Sequence, residues 1–217
     1  MPPNPQQNVV QPLHASLSPE RIGTYLTAAN FDQDRALALY IWNASVGEAF
    51  HLPIQSVEVA IRNRINVALK SQYGPEWWRD HKYMRDAGGR LNKDIATATR
   101  RVQNKHHPLT TGRIVANLSF GFWTTMLGSS WNPKLWSFQL RNSFPDLPQS
   151  IDRDELHKRA RAVNSLRNRI WHHEPIFKDD LLKRHSETLE LLRWVCPAKH
   201  KWIRPHCRLP ALMRTKP

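Results

Sequence analysis

The chain is poor in cysteine, in glycine and in long apolar runs, and each shortage excludes a class of protein. Two cysteines in 217 residues are too few for a disulfide scaffold and suit a reducing cytosol. Eight glycines, without a recurrent alternation of Val, Ile and Thr, argue against a β-sheet protein. Because no sustained apolar run or lipidation signal is present, the sequence predicts no membrane partner. The N-terminus has no basic segment followed by an apolar one, so we expect no signal peptide there.

Acidic residues are outnumbered by basic ones throughout the chain. Lys and Arg together number 32 against 18 Asp and Glu, which gives a net charge of +14 and an isoelectric point near 10.4. This composition predicts a polyanionic partner, and nucleic acid is the first candidate because neutralised phosphates release counterions. We therefore expect a cytoplasmic protein whose main partner is RNA or DNA.

Apolar residues recur at helical spacing along most of the sequence, which predicts an all-α helical bundle. Ser18-Pro19-Glu20 is typical of a capped helix start. The remaining pattern predicts a helix around 36–44, a helix opened by Pro53, a glycine-hinged loop over 79–89, a polar helix over 90–105, a buried central helix over about 111–123, a short aromatic segment over 135–140, and two long helices near 151–172 and 177–194. We expect three parts: a disordered N-terminal segment 1–17, a helical domain 18–203 and a basic tail 204–217.

One short segment carries the residue types that cut RNA without a metal. Leu166–Pro175 contains Arg167, Asn168 and His172. Arginine is always charged and binds phosphate oxygens with two nitrogens at once. Histidine both donates and accepts a proton near neutral pH, and asparagine orients either partner through its amide. These three residues are the candidate catalytic set.

The spacing of this motif is weak evidence by itself, because a solvated basic helix face would look the same. A second Arg-to-His match, Arg101 and His106, exists but runs into a loop signal. Five residues on an ideal helix place Arg167 and His172 about 140° apart. One straight helix therefore cannot direct both side chains at one phosphate, and two arrangements would solve this. The helix can end near His172, because Pro175 disfavours helical geometry before it. Alternatively, a second copy of the chain can complete the site across a two-fold axis.

Two further features near the motif have simple alternatives. We expect Ile170 and Trp171 to pack in the core. The C-terminal cluster of Cys and His suggests zinc, but neither cysteine is paired at the usual ligand spacing. We therefore expect no metal and no cofactor, and we assign the cluster to the basic C-terminal part of the chain; its members are Cys196, His200, His206 and Cys207.

An echo of the motif lies earlier in the chain, where residues 62–65 repeat the Arg-Asn-Arg-Ile of residues 167–170. Val67 stands where the histidine would be, so this helix is either a plain core helix or a support for the catalytic one. In the second case Glu58 and Arg62 share a face and pair there. From that position they orient Asn168 or His172, or present a second cation to the RNA backbone. The supporting or RNA-binding residues that we predict are Glu58, Arg62, Asn63, His173 and Glu174.

Taken together, six motifs in order make residues 17–203 resemble the Abi-like family of bacterial proteins, named for abortive phage infection. The segments that carry the resemblance are Leu17–Arg21, Ala36–Asn43, Glu58–Arg64, Tyr73–Trp78, Leu118–Trp123 and Arg167–Ile176. That family looks like a branch of the HEPN superfamily, all-α proteins whose signature is Arg, a polar residue, three residues of any kind, and His. Arg167, Asn168 and His172 match these positions.

The resemblance implies a metal-independent endoribonuclease that works as a homodimer with a composite site, as a toxin or in phage defence. In the implied mechanism the ribose 2′-OH attacks its own phosphate, His172 moves a proton and Arg167 stabilises the charge. An antitoxin or other regulator is a further partner. Glu174 replaces the tyrosine that antitoxin-regulated relatives often carry two residues after the histidine. The alternatives are a non-catalytic RNA-binding helical protein and, ranked last, a DNA-binding regulator.

Overall fold

The protein is all-α, as the apolar periodicity predicts. The structure, a computed structural model, describes Leu13 and residues 16–217. Helix accounts for 79% of it, and the described chain contains no strand. The predicted disordered segment 1–17 lies outside the described residues except for Leu13, Ser16 and Leu17, which are helical.

A single long helix organises the bundle, and the others pack around it. Nine α-helices in the described chain are α1 (Pro19–Ala28), α2 (Gln33–Tyr73), α3 (His81–Asn104), α4 (Thr111–Asn117), α5 (Phe120–Thr125), α6 (Arg153–Trp171), α7 (Leu181–Val195), α8 (Pro197–Ile203) and α9 (Leu209–Leu212). A π-helical segment covers Asn132–Leu140, and single 3₁₀ turns cover Trp77–Arg79, Ser129–Trp131, Arg141–Ser143, Arg204–His206 and Met213–Thr215. Helix α2 packs against α1, α7 and the π-helical segment.

The prediction that Pro53 opens a new helix is wrong, because α2 continues through it for 41 residues. Proline removes one backbone hydrogen bond and usually kinks or ends a helix. Here Pro53 itself is buried, with Phe50 before it and Ile54 and Val57 after it also buried. The apolar stripe therefore runs unbroken past the proline, and packing on both sides outweighs the lost hydrogen bond.

The predicted loop over 79–89 is also wrong for most of its length, because α3 begins at His81. Asp80 caps this helix by accepting a hydrogen bond from the Tyr83 amide at 2.8 Å, and Tyr83 is buried against Trp77. The expected glycine hinge is present, since Gly88 adopts a non-helical φ of 70° inside α3.

The buried central helix is divided in two. Leu118 is extended between α4 and α5, and the Ser119 hydroxyl accepts a hydrogen bond from the Phe122 amide at 3.2 Å to start α5. The expected burial is confirmed for both halves, as Ile114 of α4 and Trp123 of α5 are fully buried.

Aspartates begin the two long C-terminal helices. Asp152 accepts from the Glu155 amide at 2.7 Å, and Asp180 accepts from the Lys183 amide at 3.0 Å. Helix α7 therefore starts four residues later than predicted. The predicted start of α1 at Pro19 is confirmed, but its cap is not: Ser18 makes no side-chain hydrogen bond to the helix backbone.

Residues 204–217 pack on the helical domain. Leu209 is fully buried, and the Trp42 indole donates to the Leu212 carbonyl at 3.0 Å. Lys216 donates to the Phe177 carbonyl at 3.4 Å. Among the described residues, none of the helices combines the length and the apolar character needed to cross a membrane.

Candidate functional site

The motif residues lie at the C-terminal end of α6, where the chain turns away from the helix. His172 is the C-cap residue, and its amide donates to the Asn168 carbonyl at 2.9 Å. His173 follows with a φ of 55°, the left-handed conformation that commonly ends a helix. The Glu174 amide then donates to the Arg169 carbonyl at 2.9 Å. The predicted end of the helix at His172–His173 is therefore confirmed.

Arg167 is held by contacts with α2 and with its own helix. Its Nε donates to Glu58 Oε2 at 3.1 Å, and its Nη1 lies 3.5 Å from Asn168 Oδ1. The guanidinium also lies over the Trp171 ring, 5.0 Å from the ring centroid. The Arg167 and Glu58 side chains are 25% and 19% exposed, so the pair is less screened than a surface ion pair. Nη2 has no hydrogen-bond partner in the described chain.

His172 faces a different neighbourhood from Arg167. It is exposed and lines a shallow pocket of about 280 Å³ together with Ser18, Arg21 and Thr24 of the α1 region. Its imidazole makes no hydrogen bond to any described residue. One copy of the chain thus directs Arg167 towards α2 and His172 towards α1, in agreement with their angular separation on the helix.

Arg21 is a cation of this site that the sequence interpretation missed. Its Nη1 donates to the His173 carbonyl at 2.7 Å, and the side chain also lines the His172 pocket. No carboxylate lies within ion-pair distance of it among the described residues. Arg21 belongs to the first of the six motifs, and that was the one signal available before the fold was known.

The turn after the motif is fixed by Arg169. Its guanidinium contacts Asp179 at 2.6 Å, the Pro175 carbonyl at 2.7 Å and Glu174 at 3.3 Å. Glu174 therefore stabilises the turn through its ion pair with Arg169, although its side chain is exposed to solvent. Because Arg169 satisfies the turn's backbone and acidic groups together, it limits how far His172 can move.

Helix α2 also contacts the turn that follows the motif. The Asn43 carboxamide, 8% exposed, accepts hydrogen bonds from the amides of Ile176 at 2.8 Å and Phe177 at 3.1 Å. Gly47 allows α6 to approach α2 closely, since a Cβ at this position would lie 3.2 Å from Ile170 Cγ2. Ile170 is partly buried and packs on the core as predicted.

Trp171 does not pack in the core, contrary to the prediction. It is 44% exposed and stacks on His51 of α2, with ring centroids 5.5 Å apart and planes 21° apart. The two rings line a groove of about 750 Å³ between α1, α2 and the end of α6. His51 was not predicted as a site residue, because it lies two turns before Glu58 on a helix that the sequence divides at Pro53.

The predicted pairing of Glu58 with Arg62 is wrong, because Glu58 pairs with Arg167 instead. Arg62 is partly buried, and its Nε has no hydrogen-bond partner within the described chain. It lies near Lys199 of α8. Burial lowers the pKa of Lys199, the nearby Cys196 opposes that shift, and the positive charge of Arg62 adds to it. Asn63 is exposed on the same turn of α2.

The second Arg-to-His match lies elsewhere in the fold. Arg101 and His106 are both exposed, on the last turn of α3 and just beyond it. At the C-terminus, Cys196 and Cys207 are free thiols, and burial raises the pKa of Cys207. Within residues 16–217, no three side chains of His, Cys, Asp or Glu are grouped so that they would hold a metal ion.

Comparison of the chain with known protein families, with curated proteins and with solved structures found no match.

Proposed function

We propose that this protein is a metal-independent endoribonuclease of the HEPN type. Arg167 binds and stabilises the scissile phosphate, His172 transfers the proton and Asn168 supports Arg167. No cofactor is needed in this reaction. The proposal identifies RNA as the substrate because the attacking group is the ribose 2′-OH, which DNA lacks.

One observation carries the proposal: a partly buried Arg167, fixed by Glu58 and Trp171, lies five residues before an exposed, unpaired histidine. A solvated basic helix face does not account for this ion pair between Arg167 and Glu58, which lie 109 residues apart in sequence. Fixing a guanidinium in advance, with free nitrogen at the surface, is what stabilises charge that develops on a phosphate.

The reaction needs one proton taken and one proton given. The 2′ oxygen bonds to phosphorus as its proton leaves to a base, and the bond from phosphorus to the 5′ oxygen breaks as that oxygen gains a proton. The product ends are a 2′,3′-cyclic phosphate and a 5′-hydroxyl. His172 exchanges these protons.

Two copies of the chain give the site its complete form. Arg167 and His172 point to different sides of the α6 end in one protomer, so a phosphate cannot sit between them without help. A two-fold axis near the motif would place Arg167 of one protomer opposite His172 of the partner subunit. We therefore propose a homodimer with a composite active site.

The biological setting follows from the resemblance to Abi-like proteins. An RNA-cutting enzyme with a basic surface and little need for cofactors suits a cytoplasmic toxin or a phage-defence effector. Such a protein is kept inactive by an antitoxin or regulator until its trigger appears, and this partner is part of the proposal.

A second candidate, a non-catalytic RNA-binding protein, is favoured by one feature of α6. Its solvent face presents a stripe of exposed residues at helical spacing: Lys158, Arg161, Ser165, Asn168 and His172. A stripe of this kind binds the RNA backbone through charge without cutting it. The two candidates differ over His172→Ala, which spares binding in both but abolishes cleavage only if the protein is an enzyme.

The test is cleavage of RNA by purified protein in excess EDTA. Wild type is expected to cut, whereas Arg167→Ala and His172→Ala are inactive yet keep the helical content and unfolding transition of wild type. Arg101→Ala and His106→Ala are the matched controls, with the same residue types at the same spacing, and they retain activity. Cleavage that disappears with EDTA and returns with magnesium, or equal loss in both pairs, would refute the assignment.

A further inference from the structure

We propose that the groove beside the motif binds a nucleobase of the RNA, the base next to the phosphate that is cut. This inference rests on the proposed function and adds to it a subsite that selects the cleavage position. The groove lies between α1, α2 and the end of α6, and its volume of about 750 Å³ is within the range of small-molecule sites.

Two aromatic rings give the groove its affinity for a base. His51 and Trp171 are stacked at 5.5 Å, and both are exposed. Trp171 already contacts His51 and Arg167, so a base adds to the stack at the exposed His51 ring. Bases stack on aromatic rings whatever their sequence. The two rings come from different helices and hold each other in place. A base that stacks on them therefore costs little further loss of side-chain entropy.

Polar groups at the bottom of the groove give it selectivity. Asn43 lines the groove and is nine-tenths buried, with its oxygen already occupied by two backbone amides. Its Nδ2 donates no hydrogen bond to any described residue and is left for the edge of a base. Burial raises the pKa of Tyr25, which also lines the groove, to about 12. The Tyr25 hydroxyl therefore stays protonated in the groove.

The groove is continuous with both halves of the candidate active site. Trp171 lines it and at the same time contacts the Arg167 guanidinium. Arg21 lines both this groove and the His172 pocket. A base in the groove thus has its own phosphate near Arg21 and the motif.

Gly47 allows α2 and the end of α6 to approach each other closely at the groove. Gly47 lies on α2 between Asn43 and His51, where a Cβ would press on Ile170 at 3.2 Å. Even an alanine here would require the Ile170 side chain to shift by a few tenths of an ångström. The groove depends on this close approach of the two helices.

The experiment measures binding of the four nucleoside 3′-monophosphates by isothermal titration calorimetry. These probes cannot be cut, so the result does not depend on catalysis. We expect at least one of them to bind wild type, His51→Ala to weaken it by about tenfold or more, and His51→Phe, which keeps a ring for stacking, to restore most of the affinity. His81→Ala, an exposed histidine on α3, serves as the control and binds like wild type.

The same variants are then compared in the RNA cleavage assay. If wild type binds no monophosphate, or if His51→Ala and His81→Ala bind equally well, the nucleobase site is refuted. If nucleotides bind through His51 but wild type cuts no RNA, the proposed ribonuclease function fails while the binding result stands. A His51→Ala enzyme that cuts RNA with the same base preference as wild type overturns the subsite and leaves the ribonuclease intact.

Discussion

Glu58 Oε2 lies 3.1 Å from Arg167 Nε and joins the middle of α2 to the last turns of α6 across 109 residues of sequence. The contact fixes the direction of the one arginine to which the proposed mechanism assigns the phosphate. Glu58 acts through Arg167 and is therefore a positioning residue.

Removing the Glu58 carboxylate is expected to lower cleavage without changing its pH dependence. Glu58→Ala leaves Arg167 free to rotate, and misplacing a catalytic group by about 1 Å costs up to roughly a hundredfold in rate. Glu58→Gln keeps an oxygen that accepts from Arg167 and so retains more activity. The measurement is kcat/KM for a defined RNA between pH 5.5 and 8.5.

The matched control is Asp146→Ala, which removes the carboxylate that pairs with Arg64 at 3.2 Å on the same helix. It should leave cleavage unchanged. A Glu58→Ala enzyme as active as Asp146→Ala would mean that the contact with Arg167 has no part in the reaction.

Mixing two inactive variants is expected to restore activity if the active site is composite. In a dimer of Arg167→Ala with His172→Ala, one site receives both intact residues and the other receives neither. Random mixing makes half of the dimers heterodimers, so recovery is about a quarter of the wild-type rate. Subunits are exchanged before the assay, and each variant alone provides the baseline. No recovery after verified exchange argues that each protomer holds its own site.

Arg62 and Lys199 are expected to bind RNA phosphate next to the active site. They lie close together, and Arg62 is one helical turn from Glu58, the residue that pairs with Arg167. Each variant, Arg62→Ala or Lys199→Ala, should weaken RNA binding and reduce the dependence of log Kd on log salt by about one phosphate contact. The mapped cut sites should not move.

Arg90→Ala, at an exposed position on α3, is the control for this effect. Its salt dependence should match that of wild type more closely than that of Arg62→Ala. Identical slopes for Arg62→Ala and Arg90→Ala would show that Arg62 is only a structural residue of α2.

Because residues 204–217 pack on the domain, point substitutions of Arg204 or Arg214 measure the contribution of the basic tail better than its deletion.

Stability is expected to fall as the pH is lowered, in part because of His185. Burial lowers the pKa of this histidine, and its Nε2 has no hydrogen-bond partner in the described chain. As the pH falls through about 6.5, the His185 side chain becomes protonated in the unfolded chain but stays neutral in the folded chain. The unfolded state then binds more protons, so the free energy of unfolding decreases.

His185→Leu should make this decrease shallower between about pH 7.5 and 5, as measured by urea unfolding at each pH. Some slope remains, because the pKa values of His157 and His200 are also lowered by burial. His81→Leu, at an exposed position, is the control. The same slope in His185→Leu as in wild type would contradict this account.

Local signals in the sequence were sufficient for the helical class and for the end of α6. Pro175 and the apolar spacing before it limit α6 to residues near His172, and the structure ends the helix there. The break expected at Pro53 failed because burial on both sides of a proline cannot be read from the proline itself. That error also hid His51, which shares a face with Glu58 only if α2 is continuous.

The partners of the candidate site could not be predicted for a related reason. Which residue Glu58 contacts depends on how closely α2 and α6 approach each other, and Gly47 permits the close approach at Ile170. The sequence offered Arg62, one turn away, as the nearer partner. Trp171 was assigned to the core because an exposed tryptophan has no signature in a single sequence.

The most direct measurement of the central claim uses one RNA oligonucleotide that the enzyme cuts at a mapped position. A second copy carries a single 2′-deoxy nucleotide on the 5′ side of that phosphate, and both are incubated with wild type in excess EDTA. The 2′-OH mechanism predicts a 2′,3′-cyclic phosphate on the unmodified RNA and no cut at the modified position. Equal cleavage of both oligonucleotides would contradict it, because the attacking oxygen would then have come from water.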